Sequence, residues 1–271
     1  MDTLQKLMAQ SQELFAAHKS DRPEYAVILE QIIEASRDRP EYKAQRLYGI
    51  FHLAQYHSRK FNFEQARGLY ETLMKDPAAE NHGNEFFNYG LEAVNSLAYD
   101  WRIQKNYPEA IRLYKLLLRK NGERGLAGAS VLCLENLALC YEKTGDYEAA
   151  RRMLDAAFNA YAPAKNSETY VSLKQKTANL YLAEGKYPQA RAHAQALLDG
   201  CEGGGTDLDY ARINALNLIG DSHLAERDYA RALPCFEKIR TIAQTDRFFT
   251  QSRKEAEKKI QLCIENGQTP A

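Results

Sequence analysis

Apolar and small residues along this chain fall at helical spacing, and the pattern returns about every 40 residues. An aromatic residue followed three positions later by a small one occurs at Phe63/Ala66, Tyr107/Ala110, Tyr147/Ala150, Tyr187/Ala190 and Tyr229/Ala232. The aromatic positions are 44, 40, 40 and 42 residues apart. Nine residues before each stands a small residue: Ala54, Ala98, Ala138, Ala178 and Gly220. Six before each stands an aromatic or histidine: His57, Trp101, Tyr141, Tyr181 and His223. A four-point pattern repeated in phase predicts stacked copies of one unit, each a pair of helices brought close by the small residues.

The residues between the helices support that reading. Asn62, Asn106, Asp146 and Asp228 precede the repeated aromatic and carry side chains suited to capping a helix start. Gln65 and Glu109, three residues after their caps, fit a capping box. Pro108 and Pro188 fall in the first turn of the second helix, where a missing N–H costs little. Gly145 and Gly185 mark the turn, but three units carry Phe61, Lys105 and Arg227 there, and those turns are expected to close differently. Asp76-Pro77 and Pro163 are expected to stop second helices. The run Gly200–Gly205 reads as a linker.

Residues 1–38 give a weaker unit, with a helix Thr3–His18, a start at Asp21–Tyr25, and Ile28 in place of the small residue. Phe248–Glu265 reads as one amphipathic helix with Ile260 and Cys263 inward, a solvating cap on the stack. The chain is thus expected to be one all-α domain over 1–271. Its units cover about 1–38, 42–76, 84–120, 126–163, 167–199 and 206–243, with a capping helix over 247–266.

These residues resemble the tetratricopeptide repeat family. The second-helix part of that motif appears as Ala66…Tyr70…Leu73, Ala110…Tyr114…Leu117, Ala150…Leu154…Ala157, Ala190…Ala194…Leu197 and Ala232…Phe236…Ile239. The likeness covers about residues 42–240 well and 1–38 loosely. The period exceeds the commonest 34 residues and is similar to that of kinesin light chain and of bacterial peptide-sensing repeat proteins. The resemblance implies a right-handed α-solenoid of antiparallel helix pairs, with the first helix of each pair (helix A) lining a concave groove. It further implies that Phe51, His52 and Gln55, then Asn95, Ser96 and Tyr99, face that groove, as do Glu135, Asn136 and Leu139. Gln175, Lys176 and Asn179, and Asn217, Leu218 and Asp221, follow in the next units, with Arg59, Arg102 and Lys143 one turn further along.

Asn and Gln recur on this expected face, and an amide side chain can pair with both the N–H and the C=O of an extended peptide. The leading expectation is therefore a scaffold that holds a protein or peptide segment in the groove. The competing reading is that the amides solvate the helices or bridge neighbouring ones. A carboxylate clamp for a chain terminus is disfavoured, because only Gln175/Lys176 with Asn179 approach its pattern and Glu135 and Asp221 would repel the carboxylate. The alternatives are a structural or self-assembling subunit using the convex face or terminal helices, and a sensor of a peptide signal.

Charge and candidate chemistry narrow the classes. Lys+Arg and Asp+Glu are 36 each, which lacks the basic excess of a nucleic-acid binder. Five scattered cysteines fit reduced, mostly buried thiols. Without an apolar leader or an apolar run near the ~18 residues of a membrane span, the protein is expected to be cytoplasmic. His52 and His57 lie on different sides of a helix, and His57 and His223 occupy aromatic positions of the repeat, so core packing is expected. Cys133 and Cys140 lie roughly 10 Å apart along one helix, too far to share a metal ion alone. Gly203-Gly204-Gly205-Thr206 lacks the Gly-Lys-Ser/Thr ending of a phosphate loop. No enzyme activity, cofactor or metal is expected.

Overall fold

Helices form because small and apolar residues recur every third or fourth position, and each helix ends where a capped turn interrupts that pattern. In the computed structural model, which describes residues 3–81, 88–123, 125, 127–161, 168–201, 206–244 and 247–267, these residues form α-helices and two short 3-10 turns, with no β-strand. Two compact units result, Met1–Leu126 and Ala127–Ala271. The first holds α1 (Thr3–Ala16), α2 (Pro23–Ala35), α3 (Lys43–Arg59), α4 (Phe63–Lys75), α5 (Pro77–Asn81), α6 (Tyr89–Ile103) and α7 (Tyr107–Glu123). The second holds α8 (Ala127–Lys143), α9 (Tyr147–Tyr161), α10 (Glu168–Ala183), α11 (Tyr187–Gly200), α12 (Thr206–Ala225), α13 (Tyr229–Gln244) and α14 (Thr250–Gly267). Pro163, Gly203, Gly204 and Gly205, on which two of the expected helix ends rest, lie outside the described residues.

Within each unit a helix packs on its sequence neighbours, and successive A helices also meet, as α3 does α6 and α10 does α12. The repeated aromatics Phe63, Tyr107, Tyr147, Tyr187 and Tyr229 are each the first residue of a second helix. The small residues are buried: Ala54, Ala98, Ala178, Ala66, Ala110, Ala150, Ala190 and Ala232 have no exposed surface. Gly220 shows why they must be small. A Cβ built on it would lie 2.6 Å from Cζ of the fully buried Phe236.

The turns correct one expectation. Phe61, Lys105 and Arg227 do not close their turns differently from Gly145 and Gly185. All five sit in the left-handed region, at φ 61, 61, 60, 80 and 78°. The following residue donates its N–H five back in each: Asn62 to His57, Asn106 to Trp101, Asp146 to Tyr141, Lys186 to Tyr181 and Asp228 to His223, all at 2.9 Å. These bonds recapture carbonyls the helix end would leave unpaired, which compensates the strain of a side chain at positive φ. That strain costs about 1–2 kcal/mol without glycine, against about 0.5–1 kcal/mol for glycine's extra unfolded freedom. Lys105→Gly is therefore expected to stabilise the first unit by about 0.5 kcal/mol, and Gly145→Ala to destabilise the second by about 1 kcal/mol. Urea unfolding of the two variants checks both signs.

Capping is met in part. The side chains of Asp146, Asp228 and Asn106 accept from the N–H of Ala149 (3.0 Å), Arg231 (3.1 Å) and Glu109 (3.4 Å). Asn62 makes no such bond. The box expected at Glu109 is replaced by an ion pair in which its carboxylate takes Arg112 Nε at 2.9 Å.

The first pair belongs to the repeat more closely than its sequence suggested. His18 takes φ 55°, and Lys19 donates to the Leu14 carbonyl at 2.9 Å, the same turn one unit earlier. Counting back seven residues from this turn, as from Phe61 to Ala54, puts Ser11 at the small-residue position, and it is fully buried. Its pair α1–α2 encloses Leu4, Tyr25, Leu29 and Ile32 with Leu53 of α3. At the other end the capping helix begins later than expected. Phe248 belongs to a 3-10 turn, Arg247–Phe249, and α14 presents Ala256, Ile260 and Cys263 to a core built on Phe236. Pro77 stops α4 as expected but also opens the short α5. No helix among the described residues is long and apolar enough to cross a membrane.

Candidate functional site: the helix-A faces

In the first unit these faces belong to α1, α3 and α6. Phe51, expected in the groove, is instead a core ring, 3% exposed and edge-on to Tyr70 and Tyr89 at centroid distances of 6.4 and 5.6 Å. Burial of a large ring against two others outweighs any exposure the repeat phase implied. His52, its neighbour, is half-buried, with the ring of Tyr48 at 4.3 Å and that of Phe15 at 5.5 Å. Burial, and then the Arg59 charge, push its imidazole down to about 4, so it is neutral at pH 7, with Gln55 hydrogen-bonded beside it. Arg59 is exposed and donates to the Ser20 carbonyl at 3.1 Å. Asn95 hydrogen-bonds Glu92, whose carboxyl is raised by burial. Tyr99 is 48% exposed, with the Arg102 guanidinium 4.7 Å from its ring centroid. Phe15, 49% exposed, was not foreseen. Its signal was there, since it lies four residues after Ser11 as Arg102 does after Ala98.

Beneath that face lies a buried polar cluster. Asp100 is 1% exposed and accepts from Ser58 Oγ at 2.6 Å, while its Oδ2 has no partner among the described residues. Tyr70 hydrogen-bonds Ser96 and Ser58, and burial together with the Asp100 charge raises its phenol well above the usual range. Asp100 itself is raised by burial, which the Ser58 bond only partly offsets.

In the second unit half of the expected groove residues bridge neighbouring helices, α8 to α10, α10 to α12 and α12 to α14. Glu135 of α8 pairs with Lys176 of α10 at 3.0 Å, and Ser172 donates to it at 3.5 Å. Gln175 accepts from Asn214 of α12 at 3.3 Å. Lys259 of α14 reaches Asp221 at 2.6 Å and Asn217 at 3.4 Å. Leu218 is buried and Leu139 half-buried; Lys143 pairs with Glu142 at 2.8 Å. The half-buried Asn136 and exposed Asn179 make no side-chain hydrogen bond among the described residues. The amides thus divide between the two readings their sequence left open, with bridging accounting for Gln175 and Asn217.

A second set of bridges went unread in the sequence. Arg151 pairs with Glu184, and Arg191 with Glu226 at 2.5 Å. In both the arginine follows the second-helix small residue and the glutamate stands six after the next helix-A small residue, so repeat phase alone would have found them.

The other candidates are structural. His223 is 9% exposed and lowered by burial and then by Arg191; His57 is half-buried, edge-on to Tyr56 at 5.5 Å. Cys133, Cys140, Cys201 and Cys263 are buried and Cys235 is half-buried, none of them in a disulfide among the described residues. Among the described residues no group of three or more His, Cys, Asp or Glu is placed to hold a metal ion.

Comparison with known proteins agrees with the repeat. Residues 133–158 match the family model described as tetratricopeptide repeat. No curated protein matches the chain. Among solved structures it is similar to BtubC (BKLC) from P. vanneervenii, with a TM-score of 0.61 at 16% identity over 100% of this chain and 95% of that one. The apo form of RapI gives 0.63 at 12% identity, covering 98% and 97%. A putative kinesin light chain of nearly identical TPR-like repeats from Podosopora anserina gives 0.60 at 17% identity, covering 74% and 97%. At such identities the likeness is one of fold. The chain accordingly carries a tetratricopeptide repeat at residues 133–158 and has the all-α helical-repeat fold of the tetratricopeptide-repeat proteins.

Proposed function

We propose that the protein is a non-catalytic scaffold of the cytoplasm that takes an extended segment of a protein or peptide partner along its helix-A faces. The observation that carries this reading is the exposed aromatic and guanidinium surface of the first unit. Phe15 and Tyr99 are each about half exposed, Phe15 with its ring 5.5 Å from the neutral His52 and Tyr99 under Arg102. Half-exposed aromatic and arginine side chains are the residues that dominate binding energy when a partner covers them. Asn136 and Asn179 add unengaged amides on the second unit, suited to a peptide backbone.

Selection of random peptides against the full chain, followed by titration of the selected peptides, tests the reading. Tyr99→Ala is expected to weaken binding of peptides that take the first unit's face about tenfold or more, and Asn136→Ala with Asn179→Ala to weaken binding of those that take the second unit's face. Both changes lie at surface positions, so circular dichroism should show the fold intact. Unchanged affinity in both variants would remove the helix-A faces from the function.

A further inference from the structure

The helix-A faces of the first unit are charged unevenly along their length. On α6, Glu92, Asn95, Tyr99 and Arg102 fall at i, i+3, i+7 and i+10, which puts them on one side of the helix. All four keep exposed surface, while Ala93, Val94, Leu97 and Ala98 between them are buried. A matching stripe on α3, which packs against α6, carries Tyr48, His52 and Arg59.

The acid stands at the start of this face and the cations at its end. Glu92 and Arg102 lie roughly 15 Å apart along the axis at about 1.5 Å per residue. Between them are the half-exposed Tyr99 ring and His52, which stands two residues before Ala54 as Ser96 does before Ala98. Neither end is satisfied within the unit. Glu92 is half-buried and accepts a hydrogen bond from Asn95, but no cation pairs with it among the described residues. Arg102 lies over the Tyr99 ring at 4.7 Å and Arg59 donates to the Ser20 carbonyl. Neither meets a carboxylate among the described residues. The second unit differs: Glu135 is paired there with Lys176 and Asp221 with Lys259, so its face charges are engaged between helices. The dipole of α6 favours an acid in its first turn and a base in its last. It gives a half-buried carboxylate no counter-ion, however, and such a group gains most from a charged donor. A guanidinium stacked on a ring still presents its N–H edge to a carboxylate.

We infer that this face takes an extended segment of a partner carrying a basic, an apolar and an acidic residue at alternate positions. The basic side chain lies on Glu92, the apolar one against Tyr99 and His52, and the acidic one on Arg102. In an extended chain residues i, i+2 and i+4 point to one side and span roughly 13 Å. The reach of a lysine or glutamate side chain makes up the rest. An all-acidic or all-basic segment would meet a like charge at one end. The inference rests on the helix-A faces being the binding surface and adds which partners the first unit selects.

Fluorescence anisotropy of the full chain with a labelled, end-capped peptide Gly-Lys-Ser-Leu-Ser-Glu-Gly is the test. Its companions are analogues with glutamine in place of the lysine, of the glutamate, or of both. The parent peptide is expected to bind with a Kd on the order of 100 μM, and each single analogue about tenfold more weakly. Glu92→Gln should weaken the parent by the same factor and leave binding of the lysine-free analogue unchanged. Arg102→Gln should do likewise with the glutamate-free analogue. A merely structural role would not tie each variant to one analogue. Both are conservative changes at positions with exposed surface, so circular dichroism should show the fold intact. Equal binding of the parent and the doubly neutral peptide, no binding of the parent, or losses that add in the cycle would each overturn the assignment. If randomly selected peptides of other composition were then still weakened by Tyr99→Ala, the helix-A faces would stand as the binding surface without this charge pattern.

Discussion

Phe236→Ala is expected to destabilise the second unit by about 3–5 kcal/mol, the usual result of emptying a fully buried aromatic site. Phe236 is 0% exposed and stands at the centre of a core shared by α12, α13 and α14, with Ile213, Leu216, Ile239, Ala256 and Ile260 around it. Lys259 Nζ lies 5.1 Å from its ring centroid, so the loss also loosens the capping helix. Gly220 faces the ring, and a Cβ there would meet three of its carbons at 2.6, 2.8 and 3.2 Å. Gly220→Ala should therefore cost about 1–3 kcal/mol by overpacking, even though alanine is the better helix former by about 1 kcal/mol. The two effects should couple. In a Phe236→Leu background the ring is gone, and Gly220→Ala should become neutral or stabilising. Urea unfolding of the four proteins of this cycle reads the coupling. Additive losses would show that the glycine is not there to admit the ring.

Asp100→Asn is expected to stabilise the first unit by about 1–2 kcal/mol at neutral pH, because a buried carboxylate oxygen without a donor is replaced by an amide. The Ser58 bond survives in the variant, and the new NH₂ can donate to the hydroxyls around Tyr70. The sign of the pH dependence follows from the raised native pKa. Above it Asp100 is charged in both states and its burial penalty is complete. Between it and the unfolded value of about 3.9 the native state holds more protons, so wild-type stability rises as the pH falls. The advantage of the asparagine variant should thus be widest near pH 7 and shrink towards pH 4. A constant difference across that range, measured by chemical denaturation, would mean that Asp100 does not carry the charge assigned to it.

Much of the fold was legible because repeat phase is a long-range signal in a one-dimensional string. Ala138 and Tyr141 on α8 and Tyr147 and Ala150 on α9 flank the turn their spacing foretold, and every repeated aromatic opens a second helix. The first pair was less legible. Its phase marker is the buried Ser11, a residue type that reads as polar surface, and His18 occupies its turn instead of glycine. The turns at Phe61, Lys105 and Arg227 misled for a related reason. Residue type suggested a different conformation, whereas the i to i−5 hydrogen bond at the helix end imposed the same one.

The candidate face was less legible, since phase says which positions share a side of a helix and not what each side chain touches. Phe51 and His52 are adjacent and both fell on the expected groove. Packing buried the first between Tyr70 and Tyr89 and left the second neutral beside Tyr48 and Phe15. Gln175, Asn217 and Asp221 looked like ligand contacts, yet neighbouring helices claimed them through Asn214 and Lys259. The sequence by itself determined the helix pairs, their order and the small-residue positions, because these depend on local periodicity and on volumes repeated in register. Only the tertiary structure decided which polar groups are satisfied between neighbouring helices and which aromatic rings remain uncovered. Those outcomes depend on partners 30 to 40 residues away, at distances of a few ångströms that no local pattern encodes.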